Sequence, residues 1–373
     1  MKIAVFGAGN IGCFFGAQLL HTGAHEVLFV GRQRVQNLIR NAGALTVVPV
    51  NRPTISIPAD KVSFVTDLQD LIAFDPDYVL VTLKGPQVQA AFKELGDLRF
   101  DEKTVFISIQ NGARNPDLIR TLVPGNLVLG GMVPFNVTIS PEDGSRFCQG
   151  SGGTLYIEQS AKTEPMALAL REAGIVIQVS GNITGVLYGK IATNLNNAIN
   201  ALSGIGLLAE LSQRSYRHIW SRCITEALSV YFAAGIVSLP VWGFPTEFMP
   251  YMLSLPDFVC VLLFRNVIGI KPGAGSSMAD DFVNGKPTEI GDLNGEIVRL
   301  ADEIGKGDDV PYCRGVLWLV QEVERRQRSG WGGAGWRPKL TGEQIRVFCT
   351  AGASNTVAPA AVDILVTAIL VVT

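Results

Sequence analysis

The stretch KIAVFGAGNIGCFFGAQLL, residues 2–20, decides the fold of this chain. A short run of apolar residues precedes three glycines with the spacing Gly7-x-Gly9-x-x-Gly12, and an apolar helical pattern follows them. A strand, a glycine-rich turn and a helix, followed by a second strand about 20 residues later, form the context in which this spacing binds a dinucleotide. The alternative is a glycine-rich turn that holds no ligand.

Each glycine of the motif has its own predicted role. Gly7 makes the tight turn, Gly9 lets the backbone approach a pyrophosphate, and Gly12 allows close packing of the helix on the strand. Asn10 and Ile11 start the helix together with Gly12, and their backbone N–H groups point toward the phosphates. These five residues are the first predicted cofactor contacts.

The first 180 residues alternate short β-rich runs with helical patterns. Seven runs predict strands: KIAVFG, HEVLFVG, DYVLVTLK, TVFISIQNG, NLVLGGMVPF, GTLYIEQ and IVIQVSG. They are continuously apolar, which is typical of strands buried on both faces of a parallel sheet covered by helices. The fold class is therefore α/β, with an N-terminal Rossmann-type parallel sheet domain and a C-terminal all-helical domain.

Three segments define the predicted domain organisation. Residues 1–183 form the dinucleotide-binding domain, and residues 184–345 form a helical domain for substrate binding and dimerisation, because long helical patterns replace the strand-like runs near SGNITG. The glycine-rich break SGWGGAGW at 329–336 predicts the end of the packed body. Residues 346–373 are an apolar C-terminal tail to which no role is assigned.

Composition excludes several classes of partner and site. With a formal net charge of −2, the chain lacks the electrostatic footprint of a nucleic-acid or acidic-membrane binder. It has six scattered cysteines, without a CxxC pair, and three histidines, so no metal site is expected. Reduced thiols favour a cytoplasmic protein. Apolar segments such as FVCVLLFRNVIGI fall short of the roughly 20 residues of a membrane span.

The residues after the second strand indicate which dinucleotide is bound. An NAD site usually carries Asp or Glu there, whereas this chain reads FVGRQR, with Arg32 in place of the acid and Arg34 close behind. A guanidinium pairs with a 2′-phosphate rather than with a ribose diol, so the sequence favours NADPH. The alternative is a solvated arginine in a loop.

A polar stripe in the second domain is the main candidate for catalysis. If GKIATNLNNAIN, residues 189–200, is one helix, Lys190, Asn194 and Asn197 share a face at i, i+4 and i+7. Lysine is seldom buried and asparagine is a poor helix former, so the stripe needs an explanation. One reading is a snorkelling lysine with asparagines in capping roles; the other is a substrate site lining the cleft between the domains.

Other polar residues stand at strand ends and helix starts. Asn111 follows one predicted strand and Lys84, with Gln87 behind it, follows another, at the sheet edge where open α/β folds bind ligands. Ser276, Ser277, Glu289 and Asn294 lie around helix starts in the second domain. Glu289, in the first turn after Pro287, has a plain alternative role as an acid favoured by the helix dipole.

Taken together, these motifs resemble the ketopantoate reductase family, whose members use NADPH to reduce a 2-oxo acid in pantothenate synthesis. The resemblance covers roughly residues 1–345 and rests on GAGNIG, TLKGPQ, QNG, GKIATN, SSM and TEIGDLNG. The Lys-x-x-x-Asn unit and the step from Ser277 to Glu289 are its most specific parts. The chain departs from the family pattern at Ala198, where many members carry a second asparagine; here Asn197 lies one residue earlier.

The resemblance implies a role for each candidate. Lys190 matches the family's catalytic lysine, and Glu289, grouped with it as catalytic, matches the acid that binds substrate. Substrate binding is implied for Asn111, Asn194, Asn197 and Ser277, and cofactor binding for Lys84, Gln87 and Asn111. The implied activity is NADPH-dependent reduction of ketopantoate to pantoate by a cytoplasmic enzyme, and a homodimer is compatible with it.

Rival functions remain open at the level of sequence. One group keeps the architecture and changes the substrate: a reductase of another 2-oxo acid, or an opine-type or polyol-phosphate dehydrogenase. A second is a dinucleotide-binding regulator without turnover. Such a regulator needs the glycine motif but not Lys190, Asn194 and Glu289 together, so their joint presence favours an enzyme.

Overall fold

The computed structural model describes residues 1–96, 98–140, 144–240, 243–267, 270, 274–330 and 338–351. The chain divides into two compact units, and the division falls between Leu187 and Tyr188. Most of the apolar tail predicted for residues 346–373 lies outside the described residues.

Two sheets and six helices make up the described part of unit 1. The strands are β1 Lys2–Phe6, β2 Glu26–Val30, β3 Ala44–Val48, β4 Ile55–Pro58, β5 Ser63–Val65, β6 Tyr78–Val81, β7 Val105–Ile109, β8 Leu127–Met132, β9 Val137–Ile139, β10 Arg146–Gln149, β11 Leu155–Glu158 and β12 Ile177–Ser180. The helices are α1 Asn10–His21, α2 Gln33–Ala42, α3 Leu68–Ala73, α4 Gly85–Lys93, α5 Asn115–Leu122 and α6 Thr163–Glu172. A short 3₁₀ helix spans Ala59–Lys61.

The main sheet has eight strands in the order β12-β11-β8-β7-β6-β1-β2-β5. All seven predicted strands belong to it, and β5 is the eighth. Every neighbouring pair is parallel except β8 and β11, which are antiparallel. Both faces are buried as predicted: in β1, Ile3 and Val5 join one apolar cluster, whereas Ala4 and Phe6 join the other. The predicted α/β fold class is confirmed.

A second sheet, with the order β4-β3-β10-β9, was not predicted from the sequence. It packs against α1, which also contacts β1 and β2 of the main sheet. Helix α1 is buried over the whole run from Gly12 to Leu19, because one sheet covers each side. Its apolar character all round is typical of such a helix. Phe135, which precedes β9, stacks on the ring of Phe15 and contacts the ring of Phe14 edge to face.

Helices make up the regular structure of unit 2 in its described residues. The first, α7 Ile183–Asn194, starts before the division between the units. The others are α8 Asn196–Ser203, α9 Leu207–Leu211, α10 Arg214–Ala233, α11 Met249–Leu253, α12 Asp257–Leu262, α13 Ser277–Val283, α14 Asn294–Glu303, α15 Pro311–Arg328 and α16 Gly342–Ala351. Single-turn helices span Thr246–Phe248, Leu263–Val267, Ile290–Asp292 and Gly307–Asp309.

Two sequence predictions about unit 2 are wrong. The stretch 189–200 is not one helix, because α7 ends at Asn194 and α8 begins at Asn196, with Leu195 between them. The packed body also does not end at the glycine-rich break. Helix α16 follows that break and packs on α10 and α15, with Phe348 and Cys349 buried. The prediction failed because a glycine-rich segment interrupts helices without showing whether the chain returns to the core.

Candidate active site

The predicted dinucleotide contacts meet at one edge of the main sheet in unit 1. The chain leaves β1 for α1 and β2 on one side and later returns to β6 on the other side. The carboxyl ends of β1 and β6 therefore flank a topological switch point, where open α/β sheets bind ligands. The glycine motif follows β1, Arg32 follows β2, Lys84 follows β6 and Asn111 follows β7.

The geometry explains Gly7 and Gly12 by packing within the protein. Gly7 has a φ of +106°, and a Cβ there would lie 2.6 Å from the Leu83 backbone nitrogen. A Cβ on Gly12 would lie 2.5 Å from the Gly7 carbonyl oxygen. The same carbonyl accepts a hydrogen bond from Thr82 Oγ1 at 2.7 Å. These two glycines let the turn fold tightly and let α1 approach it.

Gly9 is different, because no contact among the described residues requires a glycine there. A Cβ on Gly9 would meet only the Gly7 oxygen, at 3.8 Å, and the φ of Gly9 is −93°. Helix α1 begins directly after it, with no acidic residue in its first turn. The first N–H groups of a helix have no carbonyl partner within that helix, so they suit an anionic group. Open space beside these donors fits a bound pyrophosphate.

The remaining unit 1 candidates surround this turn. The Gly7 and Ala8 amides donate to Val30 O at 3.0 and 2.8 Å, which places the end of β2, and so the exposed Arg32, beside the turn. Lys84 precedes α4, and its carbonyl accepts from Gln87 N. The side chain of Asn10 donates to Val137 O, so a cofactor contact of this residue would use its backbone.

Asn111 stands at the carboxyl end of β7, where the chain turns sharply. Gly112, the next residue, has a φ of +91°, which favours glycine. The Asn111 carbonyl accepts from Asn115 Nδ2 at 2.5 Å, so the turn is fixed from the start of α5. The Asn111 side chain is partly buried at this edge.

Lys190 lies in the part of α7 that belongs to unit 2, on a firmly held backbone. Trp220 Nε1 donates to Ala192 O at 3.2 Å, and Tyr231 donates its hydroxyl to Tyr188 O at 3.2 Å. Tyr188 in turn donates its hydroxyl to Glu296 Oε1 at 2.8 Å, which ties α7 to α14. These bonds fix the lysine's position relative to α10 and α14.

Burial lowers the pKa of Lys190 to about 8. An ammonium group that reached bulk water at the end of a snorkelling side chain would keep a pKa near 10.4. Lys190 is partly exposed, so the snorkelling reading stays open, and the lowered pKa is the feature that suits a catalytic role. A lysine with this pKa holds its proton at neutral pH and releases it readily, as a proton donor in catalysis requires.

The other unit 2 candidates lie on α7, α8 and α13 and before α14. Asn194 ends α7 and is buried, whereas Asn197 in α8 is partly exposed. Ser276 Oγ donates to Asn197 O at 2.9 Å, which brings the start of α13, where Ser277 is the first residue, against α8. Ser276 itself caps α13 by accepting from Ala279 N, so its hydroxyl is used within the fold.

Glu289 does not stand in the first turn of an α-helix as the sequence suggested. It precedes the 3₁₀ turn Ile290–Asp292, makes no capping hydrogen bond there, and lies five residues before α14 begins at Asn294. The acid in the first turn of α14 is Glu296. Glu289 is 8% exposed, and Glu324 Oε1 accepts the amide of the preceding Thr288 at 2.7 Å. The helix-dipole explanation of Glu289 is therefore wrong.

Sequence reasoning missed two polar residues beside this group, Asn200 and Glu210. Both are fully buried, and Asn200 Nδ2 donates to Glu210 Oε2 at 2.6 Å. The available signal was a single acid within the apolar run GIGLLAEL. Within the described residues, no group of three or more His, Cys, Asp or Glu side chains is arranged to hold a metal ion. No described helix combines the length and apolar character needed to cross a bilayer.

Family comparisons cover most of the chain. The family model "Ketopantoate reductase PanE/ApbA" matches residues 3–162, and the model of its C-terminal part matches residues 182–324. The chain belongs to the ketopantoate reductase family. It is accordingly an oxidoreductase of a family that uses a nicotinamide dinucleotide.

Individual relatives agree with this assignment. The 2-dehydropantoate 2-reductase of Pyrococcus horikoshii is 27% identical over 347 residues, which cover 89% of this chain and 99% of that protein. The crystal structure of a PanE/ApbA family ketopantoate reductase from Ralstonia eutropha is 26% identical, with a TM-score of 0.71 over 88% of this chain and 100% of that one. D-mandelate dehydrogenase with NADH and anilino(oxo)acetate shares the fold, with a TM-score of 0.72, 21% identity and coverage of 88% and 100%.

The contrast between Gly9 and Gly12 can be tested by substitution. Gly9→Ala should leave the free energy of unfolding within about 0.5 kcal/mol of the wild type. It should weaken dinucleotide binding about tenfold or more, because the new methyl group occupies the open space beside the helix start. Urea unfolding and fluorescence titration with NADPH and NADH measure the two effects.

Gly12→Ala is the matched control for this experiment. Its Cβ would strike the Gly7 oxygen, so it should lower the free energy of unfolding by about 1–3 kcal/mol. Wild-type affinity for both dinucleotides in Gly9→Ala would show that the open space does not hold the cofactor.

Proposed function

We propose that the protein catalyses the NADPH-dependent reduction of a 2-oxo acid, ketopantoate to pantoate, with Lys190 as the general acid. The observation that carries the proposal is the match of residues 3–162 and 182–324 to the ketopantoate reductase family models. Lys190, on a helix backbone held by Trp220 and Tyr231 and with its pKa lowered to about 8 by loss of water, supports the role of the lysine. Ketone reduction needs a hydride on the carbonyl carbon and a proton on the developing alkoxide.

The chain's own residues supply the proton. A bound reduced nicotinamide supplies the hydride to the carbonyl carbon. The Lys190 ammonium polarises the carbonyl oxygen by a hydrogen bond and transfers one proton to it as the C–O double bond becomes a single bond. The product is a 2-hydroxy acid, and the neutral amine regains its proton from solvent.

The neighbouring polar residues orient the substrate. Asn194 and Asn197 follow Lys190 along the chain and offer amide groups to the substrate's polar atoms, and Ser277 meets its carboxylate. Glu289 accepts a hydrogen bond from the substrate's hydroxyl group, a role supported by its burial. Asn111 contributes at the edge of the sheet in unit 1.

NADPH is the proposed cofactor because of charge. The exposed Arg32 follows β2 at the place where an acid would bind the ribose diol of NADH, and a guanidinium binds a 2′-phosphate by charge-assisted hydrogen bonds. Lys84 and Gln87, after β6, are the proposed further contacts on the cofactor side. The fold alone does not decide the cofactor, since D-mandelate dehydrogenase shares it and binds NADH.

Two rival functions share much of this evidence. Another 2-oxo acid, or an opine-type or polyol-phosphate substrate, would use the same architecture. A regulator would bind the dinucleotide without turnover. Oxidation of NADPH, followed with ketopantoate, with other 2-oxo acids in the presence and absence of an amino acid, and with a ketose phosphate, separates these functions. A regulator shows no turnover with any of them, and each enzyme shows its own preferred substrate.

Two further features belong to the proposal. A cytoplasmic location is supported by six free thiols, five of them buried, which a reducing compartment preserves.

A homodimer is supported by strongly exposed aromatic side chains in unit 2, such as Phe248, Tyr251 and Phe258.

The first prediction concerns the cofactor. The wild type should bind NADPH more tightly than NADH. Arg32→Ala should erase most of this difference, because a charge-assisted hydrogen bond contributes about 1.5–3 kcal/mol of binding free energy. Arg34→Ala, which removes an equally exposed arginine two residues later, should retain the preference. Equal dissociation constants for NADPH and NADH in the wild type would rule out this role for Arg32.

The second prediction concerns Glu289. Glu289→Ala should raise the KM for the 2-oxo acid about tenfold or more, because a buried hydrogen bond to the substrate is lost, and NADPH affinity should stay close to wild type. Steady-state kinetics and cofactor titration provide both numbers. If only the free energy of unfolding changes, Glu289 has a structural role alone.

The third prediction concerns Lys190. Lys190→Ala should lower kcat by about 10²–10⁴ and leave NADPH binding intact, because only the proton donor is lost. The wild-type rate should fall as the pH rises through about 8, where the ammonium loses its proton, and the variant should lack this decline. Lys190→Arg should not restore the rate, since a guanidinium does not release its proton near neutral pH.

A control and a contradicting outcome complete the Lys190 experiment. Lys286→Ala removes an exposed lysine of the same unit and should leave both kcat and the pH profile unchanged. A Lys190→Ala protein that reduces ketopantoate at nearly the wild-type rate would contradict the mechanism.

A further inference from the structure

A buried carboxyl group lies beside the candidate substrate residues without belonging to them. Glu210, in α9, is 0% exposed. Its Oε2 accepts from Asn200 Nδ2 at 2.6 Å, whereas its Oε1 has no hydrogen-bond partner. Burying a carboxyl group costs free energy unless its surroundings compensate, so a fully buried glutamate in an apolar run needs an explanation.

Asn200 connects this carboxyl group to the start of α13. Its two N–H groups donate to Glu210 Oε2 and to Ile205 O, at 2.6 and 3.0 Å. Its Oδ1 accepts the backbone N–H of Ser276 at 2.9 Å. An amide side chain with both donors and its acceptor engaged has one orientation, and Glu210 holds one of its three bonds.

The start of α13 depends on these contacts for its position. Besides the bond from Ser276 N to Asn200, Ser276 Oγ donates to Asn197 O, and Leu207 N donates to Ala274 O at 2.8 Å. All three bonds join the segment before α13 to the α8–α9 region. Ser277, the first residue of α13, is partly exposed directly after this anchored segment.

Glu210 suits this role as a neutral group. Burial raises the pKa of its carboxyl group to about 8, and the nearby side-chain amides of Asn200 and Asn196 act in the opposite direction. A neutral carboxyl group keeps an acceptor for Asn200 and gains an O–H donor. The neighbouring Asn196 Oδ1 is a buried acceptor that lacks a partner. A glutamine at position 210 would reproduce both properties.

We infer that Glu210 is a positioning residue for the 2-oxo acid site: through Asn200 it fixes the start of α13 and thereby orients Ser277 toward the substrate. This inference rests on the proposed function. It assigns no chemical step to Glu210, whose side chain is sealed from solvent.

The test uses the full-length protein and three substitutions at one position. Glu210→Leu removes the acceptor and roughly keeps the volume, Glu210→Asp withdraws the carboxyl group by one methylene, and Glu210→Gln preserves the hydrogen bonding. Hydrogen exchange measured by mass spectrometry on peptides covering residues 274–283 reports the Ser276 amide. Steady-state kinetics with NADPH and the preferred 2-oxo acid report KM and kcat.

Glu226→Leu is the matched control. Glu226 is another buried carboxyl group of unit 2, and it accepts the backbone amides of Tyr312 and Cys313 at 2.9 and 2.8 Å. Its substitution should destabilise the protein without changing exchange in residues 274–283 or the KM. This separates a general loss of stability from a specific effect on α13.

The expected result is a split between the variants. Glu210→Leu should speed exchange at the start of α13 and raise the KM about tenfold, the worth of one lost hydrogen bond, with kcat changing less. Glu210→Asp should show a smaller change in the same direction. If Glu210→Leu does not fold, Glu210→Asp still tests the inference. Glu210→Gln should behave as the wild type.

Two results would overturn the inference. Unchanged exchange in residues 274–283 in Glu210→Leu and Glu210→Asp would show that Glu210 does not hold α13. Faster exchange with an unchanged KM would show that Glu210 holds α13 in place but does not affect substrate binding. A wild-type protein that reduces no 2-oxo acid would instead contradict the proposed function, and the exchange data would still decide whether Glu210 fixes this segment.

Discussion

The close approach of α1 to β1 is the constraint on which unit 1 depends. Two positions on α1 allow it by lacking a side chain, because a Cβ on Gly12 would strike the Gly7 oxygen and one on Gly16 would strike the ring of Phe29 in β2. In the turn before α1, a Cβ on Gly7 would strike the backbone of Leu83, which follows β6. Because α1 sits this close to the main sheet, its other sides are free to carry the second sheet. The first turn of α1 is thereby fixed at the carboxyl end of β1, with room beside Gly9 for an added side chain.

Unit 2 depends on buried polar side chains that hold backbone groups at helix ends and turns. Arg217 is fully buried and donates to the carbonyls of Leu211, Leu253 and Leu255. Glu226 accepts two amides at the start of α15. The N–H and C=O groups at helix ends have no partner within the helix and must find one elsewhere. A domain of many short helices has many such ends. Apolar packing alone would leave these groups unsatisfied.

One physical effect acts in opposite directions on the pKa values of two ionisable groups in unit 2, Lys190 and Glu210. Loss of water disfavours the charged form of each group. It lowers the pKa of Lys190 to about 8 and raises that of Glu210 to about 8. The same desolvation thus makes the lysine a better proton donor and makes the glutamate a neutral hydrogen-bonding group. Desolvation therefore accounts both for the lowered pKa of Lys190 and for the raised pKa of Glu210.

The sequence by itself determined the elements with strong local signals. The seven strands of the main sheet were readable because buried parallel strands are continuously apolar, and the glycine motif was readable because its spacing follows backbone geometry. The second sheet was not readable, since β9 has three residues and β4 and β10 have four each, too few to show a period. The apolar character of α1 on all sides was the signal that a second layer covers it.

Only the tertiary structure decided how the polar residues are used. Sequence marked Lys190, Asn194 and Glu289 as unusual, but it could not show how far each side chain is buried or which backbone segments hold it in place. Both depend on residues distant in the chain, such as Trp220 for α7 and Glu324 for the segment before Glu289. Asn200 and Glu210 gained their significance in the same way, because a side chain's environment is set by its neighbours in space and not by its neighbours in sequence.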